Sequence, residues 1–137
     1  MPLHLHANKI WIIDDNEIIG NIVCDYFRLN TPHTPHYFNS AIKAQKKLRK
    51  EKPDVILLDW IMPKCSGLDF IEILKKNKRT ADIPIFMLTG LKSGQEFEIA
   101  CKAAKFNGYF TKPVDLPLIR KRLDYFFSQR SENKQNK

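Results

Sequence analysis

Four apolar runs in this chain each end in a polar side chain: residues 10–13 run into Asp14 and Asp15, residues 55–58 into Asp59, residues 85–88 into Thr89, and Tyr109 and Phe110 pass through Thr111 into Lys112. Short apolar runs separated by helical periodicity predict buried parallel strands. Open parallel sheets collect ligands at the carboxyl ends of their strands. Three carboxylates, a hydroxyl and an ammonium are therefore expected on one rim.

The intervening segments support that reading. The first run, residues 9–13, hands over at Asp14, Asp15 and Asn16 to a helix carrying Ile18, Ile19, Ile22, Val23, Tyr26 and Phe27 at helical spacing. Residues 31–38 contain Pro32 and Pro35, which cannot donate to a central ladder, so the second strand is predicted at a sheet edge. Ser40 is placed to cap a basic helix reaching Lys50, and Pro53 and Asp54 turn into the third strand. A Pro- and Gly-punctuated loop of residues 60–67 leads to a helix bearing Leu68, Phe70, Ile71 and Leu74. The fourth strand follows Asp82, Ile83 and Pro84, a small-residue loop spans 90–95, and residues 96–105 read as a helix. After the fifth strand at 108–111, Asp115 opens the last helix, with Pro117 tolerated in its first turn and Leu118, Ile119, Leu123, Phe126 and Phe127 facing the sheet. Five strands alternating with five helices predict an α/β fold, a doubly wound parallel sheet of flavodoxin-like order 2-1-3-4-5.

The 137 residues suit one domain at 9–127, preceded by a flexible segment at 1–8 and followed by a polar tail or linker start at 128–137. No apolar run approaches the roughly 20 residues needed to span a bilayer. With no signal-like start either, a cytoplasmic protein without membrane contact is expected. Cys24, Cys65 and Cys101 lack metal or redox spacing and are read as reduced thiols. His4, His6, His33 and His36 show no fixed ligand geometry. The net charge of +8 is crowded on helices without aromatic interleaving, which argues for solvated faces and against direct nucleic-acid binding.

The rim residues have complementary chemistry. Clustered Asp14, Asp15 and Asp59 raise one another's proton affinity, and a divalent cation relieves this. Magnesium suits an all-oxygen donor set completed by phosphate and water. Lys112 supplies a positive charge and Thr89 a hydroxyl donor. These are the parts phosphoryl transfer needs, with Asp59, alone at the end of its strand, as the nucleophile and Asp14 and Asp15 serving the metal.

The constellation of Asp14, Asp15 and Asn16, of Asp59 with Met62, Pro63 and Gly67, of Thr89, and of Lys112 with Pro113 resembles the response-regulator receiver domain of two-component signalling systems, the chemotaxis-regulator-like family, over residues 9–127. The resemblance implies that Asp59 accepts a phosphoryl group from a histidine kinase or histidine phosphotransfer protein, in a regulatory domain that assists its own phosphorylation. It implies Mg2+ held by Asp15, Asp59 and the backbone carbonyl of Ile61, with Asp14 acting through water. It also implies a switch in which Thr89 moves and Tyr109 turns inward to alter a surface read by a downstream protein target, and a cis bond at Lys112 and Pro113. Gly90 stands where the family commonly has Ala, which loosens the loop. Lys105 and Phe106 replace a small pair, which puts the usual homodimer surface in doubt. Ile61 and Leu91 are apolar beside the phosphoryl position, where they hinder an incoming water.

Two other classes share part of this pattern. A haloacid dehalogenase-type phosphatase has a D-x-D pattern, whereas Asp59 precedes Trp60 and Ile61. A phosphorylation-independent pseudo-receiver, an interaction module only, is marked by a missing acid or lysine, and none is missing.

Overall fold

The computed structural model of the chain describes residues 7–62, 65–90 and 106–135. Strands β1 (Lys9–Ile13), β2 (Thr34–Phe38), β3 (Val55–Asp59), β4 (Ile85–Thr89) and β5 (Gly108–Thr111) form one parallel sheet in the order β2-β1-β3-β4-β5. Four helices lie among the described residues: α1 (Glu17–Asn30), α2 (Ala41–Leu48), α3 (Gly67–Lys75) and α4 (Leu116–Gln135). The predicted helix at 96–105 and the loop leading to it, with Leu91 and Cys101, lie outside them.

Contiguous apolar runs become central strands because both sheet faces are covered. Every residue of β3 and β4 is buried. Alternation along each strand sorts them into two cores. Trp11, Ile13, Ile56, Leu58, Ile85 and Met87 pack with Phe70, Ile71 and Leu74 of α3 and Leu48 of α2. On the opposite face Ile10, Ile12, Val55, Leu57 and Leu88 meet Val23 and Phe27 of α1 and Ile119 and Leu123 of α4. The proline-bearing β2 is indeed the edge strand, yet it starts only at Thr34, because Thr31 instead closes α1: its Oγ1 donates to the Phe27 carbonyl at 2.6 Å. Asn16, Ser40 and Ser66 cap α1, α2 and α3, the last in a reciprocal capping box with Asp69.

Several packing expectations need correction. Ile18 and Ile22 are 72% and 47% exposed, and the buried stripe of α1 is Gly20, Val23, Cys24 and Phe27. The helix carries more apolar residues than one face can bury, and an apolar stripe of about 100° leaves the rest in water. Leu118 is likewise exposed, while Ile119 and Leu123 are buried. The basic helix stops at Leu48, short of Lys50. The last helix continues through the polar stretch to Gln135, and Arg130 donates to the Asp54 carbonyl at 3.3 Å.

His33 is buried in a role its sequence neighbourhood does not suggest. Its Nδ1 accepts from the Asn8 amide at 3.1 Å, so the Nε2 proton is directed to Asp124 Oδ1, 2.9 Å away on α4. His36 stacks on Phe38 at 4.2 Å between ring centroids.

Gly20 sits where α1 crosses the Tyr37 ring: a Cβ there would lie 2.1 Å from Tyr37 Cε1. That ring is pinned at its far end, because the hydroxyl donates to the Asp14 carbonyl at 2.7 Å. We predict that Gly20→Ala destabilises the fold by about 1–3 kcal/mol, overpacking outweighing the gain of roughly 1 kcal/mol that alanine brings to a helix interior. A lower urea midpoint is the expected result; an unchanged or higher midpoint would mean the ring moves aside without cost.

Candidate functional site

Strand register, rather than any attraction among the side chains, assembles the site. Ile13 of β1 pairs with Leu58 of β3, so Asp14 and Asp59 emerge side by side where the two strands end. This is the point at which the strand order reverses, β1 having gone to β2 on one side and β3 on the other. Asp15, the next residue, is exposed, and ligand oxygens of Asp14, Asp15 and Asp59 all lie within 4.8 Å of one another. Thr89 and Thr111 are paired at the ends of β4 and β5, and the Lys112 amide donates to the Thr89 carbonyl at 2.7 Å. Lys112 then reaches back across β4, roughly two strand spacings or about 10 Å, to bring its ammonium 3.1 Å from Asp14 Oδ2 and 3.3 Å from Asp59 Oδ1. The Lys112-Pro113 bond is cis.

The backbone around the acids is closely fitted. Asp14 Oδ1 accepts from the Asn16 amide at 2.9 Å, and Asn16 in turn caps α1 through the amides of Ile18 and Ile19. The Asp14 amide donates to the Phe38 carbonyl at 3.2 Å. Behind Asp59, the start of α3 approaches so closely that a Cβ on Gly67 would lie 2.6 Å from the Asp59 carbonyl oxygen and 2.7 Å from Met87 Cε. Glycine is required there by contact alone. The Trp60 and Gly67 amides donate to the Leu88 and Trp60 carbonyls, which ties the start of α3 to the strand end.

Burial makes these charges costly. Asp14 is fully buried and Asp59 is 6% exposed. Burial, followed by the neighbouring charge of Asp14, pushes the Asp59 carboxyl up to about 7, with Lys112 opposing the rise. Burial alone would lower the Lys112 ammonium, but the two carboxylates beside it outweigh burial and hold it above its ordinary value. The ammonium pairs with Asp14 Oδ2 as an ion but lies off its hydrogen-bonding direction, so that buried oxygen has no hydrogen-bond donor. One ammonium therefore meets two of the three clustered carboxyl groups.

The structure brings together five of the residues singled out from sequence: Asp14, Asp15, Asp59, Lys112 and, at the neighbouring strand end, Thr89, which is 1% exposed. Ile61 follows Asp59 by two residues and its side chain is 64% exposed. Tyr109 is half-buried against the core on the α3 side, and its carbonyl accepts from Arg122 at 3.4 Å. Phe106, the bulky departure ahead of β5, meets Trp60 edge-on at 6.3 Å between ring centroids. An added Cβ at Gly90 would meet nothing within 4 Å, so space does not demand glycine there.

Tyr37 is the residue that sequence reasoning missed. Its hydroxyl, from the edge strand, holds the carbonyl of the very residue that opens the acidic loop. Burial, with the charges of Asp14, Glu17 and Asp15, pushes its phenol up to about 12, so it remains a donor through the alkaline range. Its only trace in the sequence is an aromatic beside two prolines.

Comparison with known proteins accords with this geometry. The family model described as response regulator receiver domain matches residues 10–124. The phosphate regulon transcriptional regulatory protein PhoB of Klebsiella pneumoniae is 35% identical over 109 residues, covering 78% of this chain and 46% of that protein. Chemotaxis protein CheY-3 of Vibrio cholerae is 26% identical over 121 residues, covering 88% of this chain and 92% of its own length. The solved structure of Vibrio cholerae chemotaxis protein CheY4 superposes with a TM-score of 0.80 at 24% identity, covering 88% of this chain and 98% of that one. The chain spans about half the length of the PhoB proteins it matches. With the family model matched over most of its length, the chain belongs to the response regulator receiver domains of two-component systems.

Proposed function

We propose that this receiver domain accepts a phosphoryl group on Asp59 from a histidine kinase or histidine phosphotransfer protein, and passes the signal on by changing a surface that a downstream protein reads. The observation that carries the reading is the convergence of three carboxyl groups within 4.8 Å, one of them beside a lysine ammonium at 3.3 Å at the end of a buried strand. In the transfer, an Asp59 carboxylate oxygen attacks phosphorus and the bond from phosphorus to the donor's imidazole nitrogen breaks. That nitrogen keeps the electron pair and is protonated from solvent. Lys112 holds positive charge beside the oxygen that attacks, and Thr89 offers a hydroxyl at the adjoining strand end. The protein acts on its own side chain, as a regulatory domain.

The donor set fits magnesium: every side-chain donor is a hard oxygen, and Asp14 Oδ2 is buried without a hydrogen-bond donor. Asp15, Asp59 and the Ile61 carbonyl would hold the ion, with Asp14 in support. When bound, it supplies charge neutralisation for the carboxylates and the phosphoryl oxygens. The chain's own part is to keep the acids in place, through the Asn16 amide on Asp14 Oδ1 and the Tyr37 hydroxyl on the Asp14 carbonyl.

The switch we assign to Thr89 and Tyr109 rests on their shared attachment to the β4 and β5 ends. Thr89 is tied to Lys112 through the backbone, and Tyr109 lies three residues before Lys112 on the same strand. The exposed Ile18 and Ile22, on the first turns of α1 just beyond Asp15, offer apolar contact to a phosphodonor protein approaching the site.

Incubation with a small acyl phosphate and magnesium should add one phosphoryl group to the chain by intact mass, and Asp59→Asn should take none; equal gain in the variant would move the acceptor elsewhere, and no gain in wild type would favour the phosphorylation-independent module.

The Asp59 shift carries a stability signature with a definite sign. Between about pH 4 and 7 the folded chain keeps a proton on Asp59 that the unfolded chain has lost. That stabilisation is complete below the unfolded value and disappears as pH rises through 7. In metal-free buffer Asp59→Asn should therefore raise the melting temperature by several degrees at pH 8 and by much less at pH 5. A fall at both pH values would show that the ionised carboxylate is not a burden on the fold.

Tyr37→Phe should weaken magnesium binding about three- to tenfold, the worth of one hydrogen bond near 1 kcal/mol, in a titration followed by Trp60 fluorescence. Affinity equal to wild type would remove Tyr37 from the support of the site.

A further inference from the structure

Charge in this chain is unevenly placed. Residues 41–52 and 72–82 hold ten of its 23 Lys and Arg residues but only three of its 15 acids. These segments contain α2 and the end of α3, and the two helices pack on the same face of the sheet. Between the two helices is a surface depression of about 390 Å³. Its apolar lining includes Ile42 and Ile73, 47% and 45% exposed, above the buried Leu48.

Its cationic lining is Lys46, Arg49 and Arg79, all exposed, and no acid lines it. Among the described residues neither Lys46 nor Arg49 has a carboxylate at ion-pair distance, although Lys47, next to Lys46, pairs with Glu51. Arg79 donates to the Leu48 carbonyl at the end of α2. That bond fixes the guanidinium at the lip of the groove and leaves further N–H donors for a ligand. Ile42 and Lys46 of α2 and its C-cap residue Arg49, which keeps helical backbone angles, are spaced i, i+4 and i+7 and so form one stripe along a single side of the helix.

An apolar floor with unpaired cations along its edge selects the chemistry of its occupant. Two half-exposed isoleucines facing one groove gain from aliphatic side chains, and three cations gain from carboxylates on either side of them. Nucleic acid supplies the negative charge but nothing to cover the isoleucines, and the lining has no aromatic ring on which a base could stack. The eight residues of α2 make a groove about 12 Å long, enough for two turns of a helix. We propose that the α2–α3 groove is a docking surface for an acidic amphipathic helix of a partner protein, whose aliphatic residues sit on Ile42 and Ile73 and whose carboxylates meet Lys46, Arg49 and Arg79. This surface is separate from the phosphoryl site, and binding to it does not depend on the phosphoacceptor reading.

The test uses the full chain and a fluorescein-labelled synthetic peptide of about three helical turns, with Leu at one helical face and Glu elsewhere. Controls are a scrambled peptide of identical composition and a short DNA duplex. Fluorescence anisotropy should show the patterned peptide binding at least about fivefold more tightly than the scrambled one, with losses of about tenfold in Ile73→Asp and in Arg49→Glu. Both variants should keep wild-type circular dichroism and wild-type phosphorylation by the acyl phosphate, since neither residue touches the acidic site. The proposal is overturned by equal binding of the two peptides, by wild-type affinity in either variant, by absence of binding, or by the duplex displacing the peptide, which would make the patch a polyanion site.

Discussion

Asp14, Asp15 and Asp59 are held closer together than three carboxyl groups would settle in water, and the force that holds them is the parallel ladder between β1 and β3. The ladder is buried on both faces, so its register cannot slip without moving an entire apolar set out of the core. Sheet stability is thus spent on a local electrostatic strain. Lys112 offsets part of it, and the remainder is visible as a carboxyl group pushed to about 7 and a buried carboxylate oxygen without a donor. A site of this kind is arranged to take up positive charge, which is what the proposed phosphoacceptor role asks of it.

The same account explains why much of the site could be read from sequence. A strand buried on both faces is written as consecutive apolar residues, and the first polar residue after it marks the carboxyl edge of the sheet. Asp14, Asp59 and Thr89 were legible for that reason, and Lys112 because Thr111 already lies at the end of the shortest strand. The edge position of β2 was legible through its prolines. What was not legible depends on lateral contact. Tyr37 reaches the acidic loop from a neighbouring strand, and Gly20 makes room for it from a helix. Asp124 meets His33 across 91 residues. Ile18 and Ile22 obey helical spacing as well as Val23 and Phe27 do, and only the direction from which the sheet approaches decides which pair is buried.

A chain of net charge +8 that carries an acidic pocket must keep the two apart. It does so by topology. The acids are at the carboxyl ends of the central strands, whereas the densest basic segments are α2 and the end of α3, on the outer surface of one layer. At separations beyond a Debye length of about 8 Å, salt screens the two fields from each other. The acidic pocket therefore feels chiefly Lys112, the one cation within 4 Å of it among the described residues.

The central claim, that three crowded carboxyl groups are relieved by a cation, is tested most directly by the protons that magnesium displaces. Isothermal titration of magnesium into the chain, in two buffers of different ionisation enthalpy, counts those protons. With Asp59 titrating near 7 in the metal-free chain, binding at pH 6.5 should release a substantial fraction of one proton, and binding at pH 8.5 almost none. Magnesium binding with no proton release at pH 6.5, or no magnesium binding at either pH, would contradict the account.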